Sequence, residues 1–430
     1  MDLCGEDDAT VIVRRGTFSI PLVALVVFSI SLSSSFGAPA PLDWPQFLGP
    51  TRNGVYTGSI NTHWPAGGPP KLWSKSVGQG FAGPAVSGGR LFLFHRVADK
   101  ERLECMEPMT GKTIWSGDYP THYQDAFGFD EGPRATPAVD GKRVYTFGAQ
   151  GVLGCWDVDS GNKTWSVDVQ AKYASEGGFF GMACSPLIEG NAVILNIGGA
   201  KGAGVVAFDK TNGNVLWKAT DDEASYSSPT AATIAGQRYV LVFTRAALVG
   251  LGPGDGKILF QFPWRARIRE SVNAATPLVI DDLVFISASY QTGAALLRIG
   301  ASGVTKVWSG DNILSNHYAT SVYHDGMLYG FDGRQEYGPS LRCVELKTGK
   351  VRWTQESFGA GSILMADKYL LIMGEKGQLI CAPATPDGFK PIAQAQVMPF
   401  EIRAYPALAE GLMFVRSKDK LVCLDLRPAH

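Results

Sequence analysis

Charge is what this sequence has least of. Only 18% of its 430 residues are Asp, Glu, Lys or Arg, and they nearly cancel, to a formal net charge of −1. Without a positive excess the chain has no electrostatic footing on a phosphate backbone, so nucleic acid is not an expected partner. Histidine is scarce, at six residues, and none of the six falls at zinc-ligand spacing, so no metal site is expected. No apolar run reaches the roughly 20 residues that span a bilayer. There is no Cys-Cys pair, no Cys-x-x-Cys-His for covalent haem and no Gly-x-Ser-x-Gly nucleophile elbow. The segment "GGAKGAGVV" (Gly198 to Val206) lacks the Gly-Lys-Ser/Thr ending of a phosphate loop.

Glycine is abundant at 51 residues, aromatics make up 11% and apolar residues 45%. Many short strands joined by tight turns around ample core produce that mix. The first 40 residues read differently. Arg14 and Arg15 precede an apolar run, Ile20 to Ile30, and then the small-residue stretch "SLSSSFGAPA". A basic region, a short apolar region and a small-residue zone describe a secretory signal, with cleavage expected between Gly37 and Ala40. No lipobox cysteine follows the apolar run. Residues 1–40 hold four acids (Asp2, Glu6, Asp7, Asp8) and two bases, leaving a mature chain of 37 bases and 36 acids. It is expected to be soluble, monomeric, and periplasmic or secreted.

The rest of the chain repeats. A small residue before proline opens a strand at Gly83, Thr136, Ser185, Ser228 and Thr276, and Tyr405-Pro406 does the same. Thr320-Ser321 and Gly361-Ser362 take that place without proline. Successive openings are 53, 49, 43, 48, 44, 41 and 44 residues apart. Each is followed by a turn ("SGGR", "DGKR", "EGNA", "AGQR", "IDDL", "HDGM", "ADK", "AEGL"), a β-rich second strand and a third strand. In most units there follow a second Gly-centred turn ("MTGK", "DSGN", "TNGN", "GDGK", "KTGK") and a fourth strand. The fourth strand carries an aromatic at Trp115, Trp165, Trp217, Phe260, Trp308 and Trp353. Four-stranded units of this period cannot bury both faces alone, but radial stacking lets each cover the next. The pattern predicts an all-β, eight-bladed β-propeller of four-stranded antiparallel blades. The eighth unit stops after its third strand, "LVCLDL", and the missing strand is "PPKLWSKSV" near the other end, with Trp73 in the aromatic place. That N-terminal outer strand is expected to close the ring and remove its free edges. The expected organisation is a signal over 1–40, a strap over 41–66 and the propeller over 67–430.

The unit endings "CMEPMTGKTIW", "CWDVDSGNKTW", "AFDKTNGNVLW" and "CVELKTGKVRW" resemble the pyrroloquinoline-quinone (PQQ) propeller repeat. That family includes the quinoprotein alcohol dehydrogenases and the assembly lipoprotein BamB. "DWPQFLGPTRNGVYTG" and "YPALAEGLMFVRSKDKLVCLDL" resemble exported bacterial members. The resemblance covers nearly all of residues 43–427. It implies that the repeat tryptophans pack against the neighbouring blade. It implies the fold far more than an activity, because one superfold hosts many functions.

Cys105, Cys155, Cys343, Cys381 and Cys423 share one third-strand position, held elsewhere by Ala207 and Gly250, and Cys184 alone is out of register. Equivalent positions in different blades lie roughly 10 Å apart or more, and a disulfide needs Cα atoms within about 7 Å. The cysteines are therefore expected to be small packing residues. The short Gly turns crowd one face of such a ring, and the long polar and aromatic loops the other. Those long loops bring Arg134, Glu270, Asn273, His317, Tyr318, Arg334, Glu336, Tyr337 and Arg403 towards an axial funnel. Arginine forks suit carboxylates or sugar hydroxyls, and tyrosine gives flat stacking surface. Mutual satisfaction of these groups as a polar plug is the other reading. The functional expectation is an exported, non-catalytic binding or scaffold module for a peptide, glycan or protein. The alternative is a PQQ-dependent alcohol or sugar dehydrogenase, which the resemblance would equip with PQQ and calcium. No ligand or base of such an enzyme can be placed on a matching position.

Overall fold

The computed structural model describes residues 43–266, 268, 271, 273–301 and 303–428. The segment 1–40 and Glu270 lie outside the described residues. Eight antiparallel sheets follow one another along the chain, each built as the repeat predicts. The first blade is Ala85–Ser87, Arg90–Val97, Lys100–Met106 and Thr113–Pro120. Among the described residues, helix is limited to Val169–Tyr173 and a 3-10 turn at Gln335–Tyr337. The eighth blade (Ala407–Ala409, Leu412–Arg416, Lys420–Asp425) takes its outer strand from Lys71–Ser76, with Trp73 opposite Cys423. The ring is closed by the N-terminal strand. Arg416 reinforces the seam. It is 1% exposed and donates to the Ala82, Phe94 and Gly78 carbonyls of the first blade's side.

The repeat motif has a physical reading in this register. The small third-strand residue faces the aromatic of the fourth: Cys105 opposite Trp115, Cys155 opposite Trp165, Cys343 opposite Trp353, Ala207 opposite Trp217, Gly250 opposite Phe260. The fifth blade places the larger Leu296 opposite Trp308, and that ring still reaches the Leu346 carbonyl of the next blade at 2.7 Å. Except in Trp165, the indole N–H then donates to a carbonyl of the next blade, as Trp73 does to Pro108 (2.8 Å) and Trp115 to Val158 (2.8 Å). The ring lies over the glycine of that blade's second turn. A Cβ on Gly111 would come within 2.8 Å of Trp73, and one on Gly213 within 2.7 Å of Trp165. Gly111 also has φ +68°, so its lack of a side chain serves both the turn and the blade contact. The seventh blade departs from the rule: Ala393 stands opposite Cys381. In its place Phe389 packs on Trp353 of the sixth blade at 5.8 Å. All six cysteines of the described chain are free and buried.

The blade openings are stitched as well. The backbone N–H of Gly83 donates to Thr136 Oγ1, Thr136 to Ser185 Oγ, Ser185 to Ser228 Oγ, and Thr276 to Thr320 Oγ1. The small hydroxyl residue at the start of one inner strand therefore caps its predecessor. That satisfies a buried donor at the channel wall.

The strap runs inside this channel. Trp44 pairs with Val86 of the first blade, and Pro45 accepts from Val139 of the second. Arg52, 3% exposed, donates to the Ser185 and Pro229 carbonyls (3.4 and 2.7 Å) and to that of Pro186, in blades three and four. Three residues later Val55–Tyr56 pairs in parallel with Gly361–Ala366, the inner strand of blade seven. Tyr56 OH accepts from Gly411 N of blade eight. A segment that bonds inner strands on opposite sides of the ring crosses its axis. Trp44, Leu48 and Tyr56 are at most 3% exposed, and each such burial contributes about 1.5–3 kcal/mol. Burial pulls the Arg52 guanidinium down to about 9, which still leaves it charged at neutral pH.

Candidate functional site

The long loops surround a cavity of about 220 Å³ on the face opposite the short turns. Phe47 of the strap and Tyr405 form part of its lining, in edge contact at 5.2 Å. With the strap across the channel, the funnel ends blind. Its wall comes from the loops between blades: Phe81, Asp125, Phe129 and Arg134, then Phe180, Tyr226, His317, Tyr318 and Arg403. Thr136, Ser185 and Ser228 of the opening ring also line it.

Of the nine residues expected to converge, Arg134, His317, Tyr318 and Arg403 do so. Asn273 is 2% exposed and its amide donates to Thr244 O (2.8 Å); it holds a loop rather than facing the cavity. Arg334, Glu336 and Tyr337 form a ridge beside the mouth. Arg334 pairs with Glu336 at 2.8 Å and lies over the Tyr290 and Tyr337 rings, and Tyr337 is 78% exposed. It is Gln335, between them, that reaches the cavity. The reason is local: the 3-10 turn points successive side chains in different directions.

The charges at the mouth are already paired. Arg134 meets Asp125 Oδ2 at 2.9 Å, donates to Asp130 O (2.6 Å) and to Gly132 O, and stacks over Tyr123 at 5.0 Å. Arg403 bridges Glu375 (2.9 Å) and Glu401 (2.6 Å), and its guanidinium lies 5.4 Å from the Phe81 ring and 5.1 Å from Phe129. Gln335 donates its side-chain amide to Glu375 and its backbone N–H to His317 Nδ1 (3.3 Å). His317 Nε2 is therefore the protonated nitrogen, 2.8 Å from Tyr290 OH. Burial above all, with Arg334 and Arg403 adding and Glu336 opposing, holds this imidazole down to about 4. It is neutral at physiological pH. The Tyr318 hydroxyl is buried beside the cavity without a hydrogen-bond partner, and burial raises its pKa.

The feature that residue-type reasoning missed is aromatic. Phe127, Phe129, Phe179, Phe180 and Tyr226 form a run of rings with centroids 5.4–6.2 Å apart. Phe127 and Phe129 are 56% and 43% exposed. The signal was in the loops "DAFGFDEG" and "EGGFFGMA", each a pair of phenylalanines among glycines and acids with no β periodicity.

The fold and this mouth define a PQQ-like β-propeller. A family model described as outer membrane protein assembly factor BamB matches residues 99–355, and the chain belongs to that family. Solved structures share the architecture. BamB from Moraxella catarrhalis is 14% identical with a TM-score of 0.62, covering 84% of this chain and 98% of its own. The quinohemoprotein alcohol dehydrogenase from Comamonas testosteroni is 14% identical with a TM-score of 0.64, covering 91% and 82%. A europium-containing methanol dehydrogenase is 11% identical with a TM-score of 0.62, covering 89% of each chain. At such identities the likeness shows the fold alone. No curated protein matches the chain.

Among the described residues no group of three His, Cys, Asp or Glu side chains could hold a metal ion. Both cavity arginines are already neutralised by carboxylates, so a polyanionic cofactor would meet no unbalanced positive charge. Among the described residues, no helix is long and apolar enough to cross a membrane.

Proposed function

We propose that this protein is a non-catalytic binding module that engages its partner through the loop-rich face. The observation that carries the reading is the blind cavity rimmed by exposed phenylalanines. Exposed rings gathered at a concave site cost solvation unless something covers them. The paired charges supply orientation without a reactive group: the neutral His317 is held by Gln335 and Tyr290, and the carboxylates are held by arginine. Residues 1–40 act as an export signal, residues 41–66 as the strap and 67–430 as the propeller, and the mature protein is a periplasmic or secreted monomer. The basic pair and apolar run of the first 40 residues support the export.

A library of sugars and peptides screened against the purified protein tests the binding role. Ligands are expected that bind the parent and are lost in a Phe127→Ser/Phe129→Ser variant; undiminished binding in that variant overturns it. A titration with PQQ and calcium is expected to show no saturable binding, and saturation would return the dehydrogenase reading. N-terminal sequencing of exported protein is expected to begin between residues 38 and 41.

A further inference from the structure

The mouth carries enough chemistry to name the class of ligand. We infer that it takes one uncharged sugar ring, the end of a longer glycan; this deepens the binding-module reading and rests on it.

Size comes first. About 220 Å³ falls below the roughly 300–1,000 Å³ of sites that enclose a drug-sized ligand. The cavity accepts a single ring and leaves the remainder of a chain outside, along the exposed phenylalanines. The walls are aromatic: Phe129 and Phe180 line the cavity, 6.2 Å apart and tilted by 42°, and Tyr226 lies 5.7 Å from Phe180 at 56°. Aromatic faces present a negative quadrupole, which suits the polarised C–H face of a sugar ring.

The floor is of opposite character. Thr136, Ser185 and Ser228 each accept a backbone N–H from the preceding blade, and each keeps its own hydroxyl hydrogen to give. A ligand with hydroxyl or ether oxygens at its inner end satisfies that ring. A phenyl or alkyl side chain from a peptide would desolvate these hydroxyls and return nothing.

Charge decides against an acid. Arg134 is matched by Asp125, and Arg403 faces both Glu375 and Glu401. An anionic group entering the mouth meets as many carboxylates as guanidiniums, or more. An uncharged polyol uses both as hydrogen-bond partners, since carboxylates accept and guanidiniums donate.

Calorimetric titration of the full chain tests this, with maltotriose, cellotriose and triacetylchitotriose as neutral probes. Trigalacturonic acid and the peptide amide Gly-Phe-Gly serve as acidic and aromatic controls. At least one neutral trisaccharide is expected to bind saturably in the millimolar range or tighter. Phe129→Ala and Phe180→Ala should each weaken it about tenfold or more while the protein stays folded at the titration temperature, and Phe129→Tyr retains it. The inference falls if no neutral probe binds up to on the order of 10 mM, or if binding ignores both alanine variants. Binding of only the acid or only the peptide, lost on Phe129→Ala, also overturns it but leaves the binding module standing. Peptide or sugar binding that ignores every mouth variant removes both.

Discussion

Trp115 and Phe129 lie fourteen positions apart and show how the blade body and the mouth use the same residue type differently. Trp115 donates its N–H to Val158 of the next blade and covers the turn glycine Gly161. Phe129 is nearly half exposed at the lip of the cavity. Arginine divides in the same way. Arg52 and Arg416 are buried and hold backbone carbonyls across the ring, whereas Arg134 and Arg403 sit at the mouth and hold carboxylates. What recurs in every blade, or bonds several of them together, makes the ring. What occurs once, on one face, is free to serve a ligand.

That contrast can be broken from either side. The largest effect is expected from Arg52→Met, which leaves carbonyls of blades three and four unpaired in the closed channel. A loss of about 3 kcal/mol or more, read by denaturant unfolding, is expected; a loss under about 1 kcal/mol would mean the strap does not hold the ring. Gly111→Ala comes next, because the added Cβ meets Trp73 at 2.8 Å and φ is +68°. It should cost about 2 kcal/mol, and Trp73→Leu should relieve part of that penalty in the double variant.

Acid should cost the body more than the mouth, because His95 is shifted further than His317. His95 is 3% exposed and accepts from Gly78 N at 2.8 Å; burial, with Arg416 adding, holds it down to about 3. A histidine whose folded pKa lies below its unfolded value takes up a proton more readily when unfolded. Its contribution is complete above about pH 6.5 and declines as pH falls towards 3, and His317 declines similarly towards 4. The melting temperature should fall over that window, and His95→Gln should flatten the slope; an unchanged slope would place the acid sensitivity elsewhere. The Phe127→Ser/Phe129→Ser variant should shift stability by only about 0.5 kcal/mol. Smallest of all, a reductant should leave the melting temperature unchanged, and the six buried thiols should react with a thiol reagent only after unfolding.

The turns and openings were legible in the chain because each depends on neighbours within one repeat, and the ring closure because the last unit lacked a strand. "SGGR" and "AEGL" are turns wherever they stand between β-rich runs, and Trp73 could be matched to its missing place by counting units. Arg134 and Arg403 were found because long loops of a propeller share one face. Asn273 and the Arg334–Glu336 pair were drawn towards the funnel by that same argument, but it has no information on where each side chain turns. Gln335 and the phenylalanine run were overlooked because convergence was judged by polarity, and these loops meet through their apolar rings.

Sequence alone determined the repeat, the number of blades, the cysteine–tryptophan register and the face on which to look, since period and turn chemistry are local. Only the tertiary structure decided that the strap crosses the channel, that Arg52 meets carbonyls more than 130 residues away, and that the funnel is blind. It also joined phenylalanines of two separate loops into one surface. Those contacts form only when the ring has closed, because closure sets the distance between segments that share no pattern along the chain.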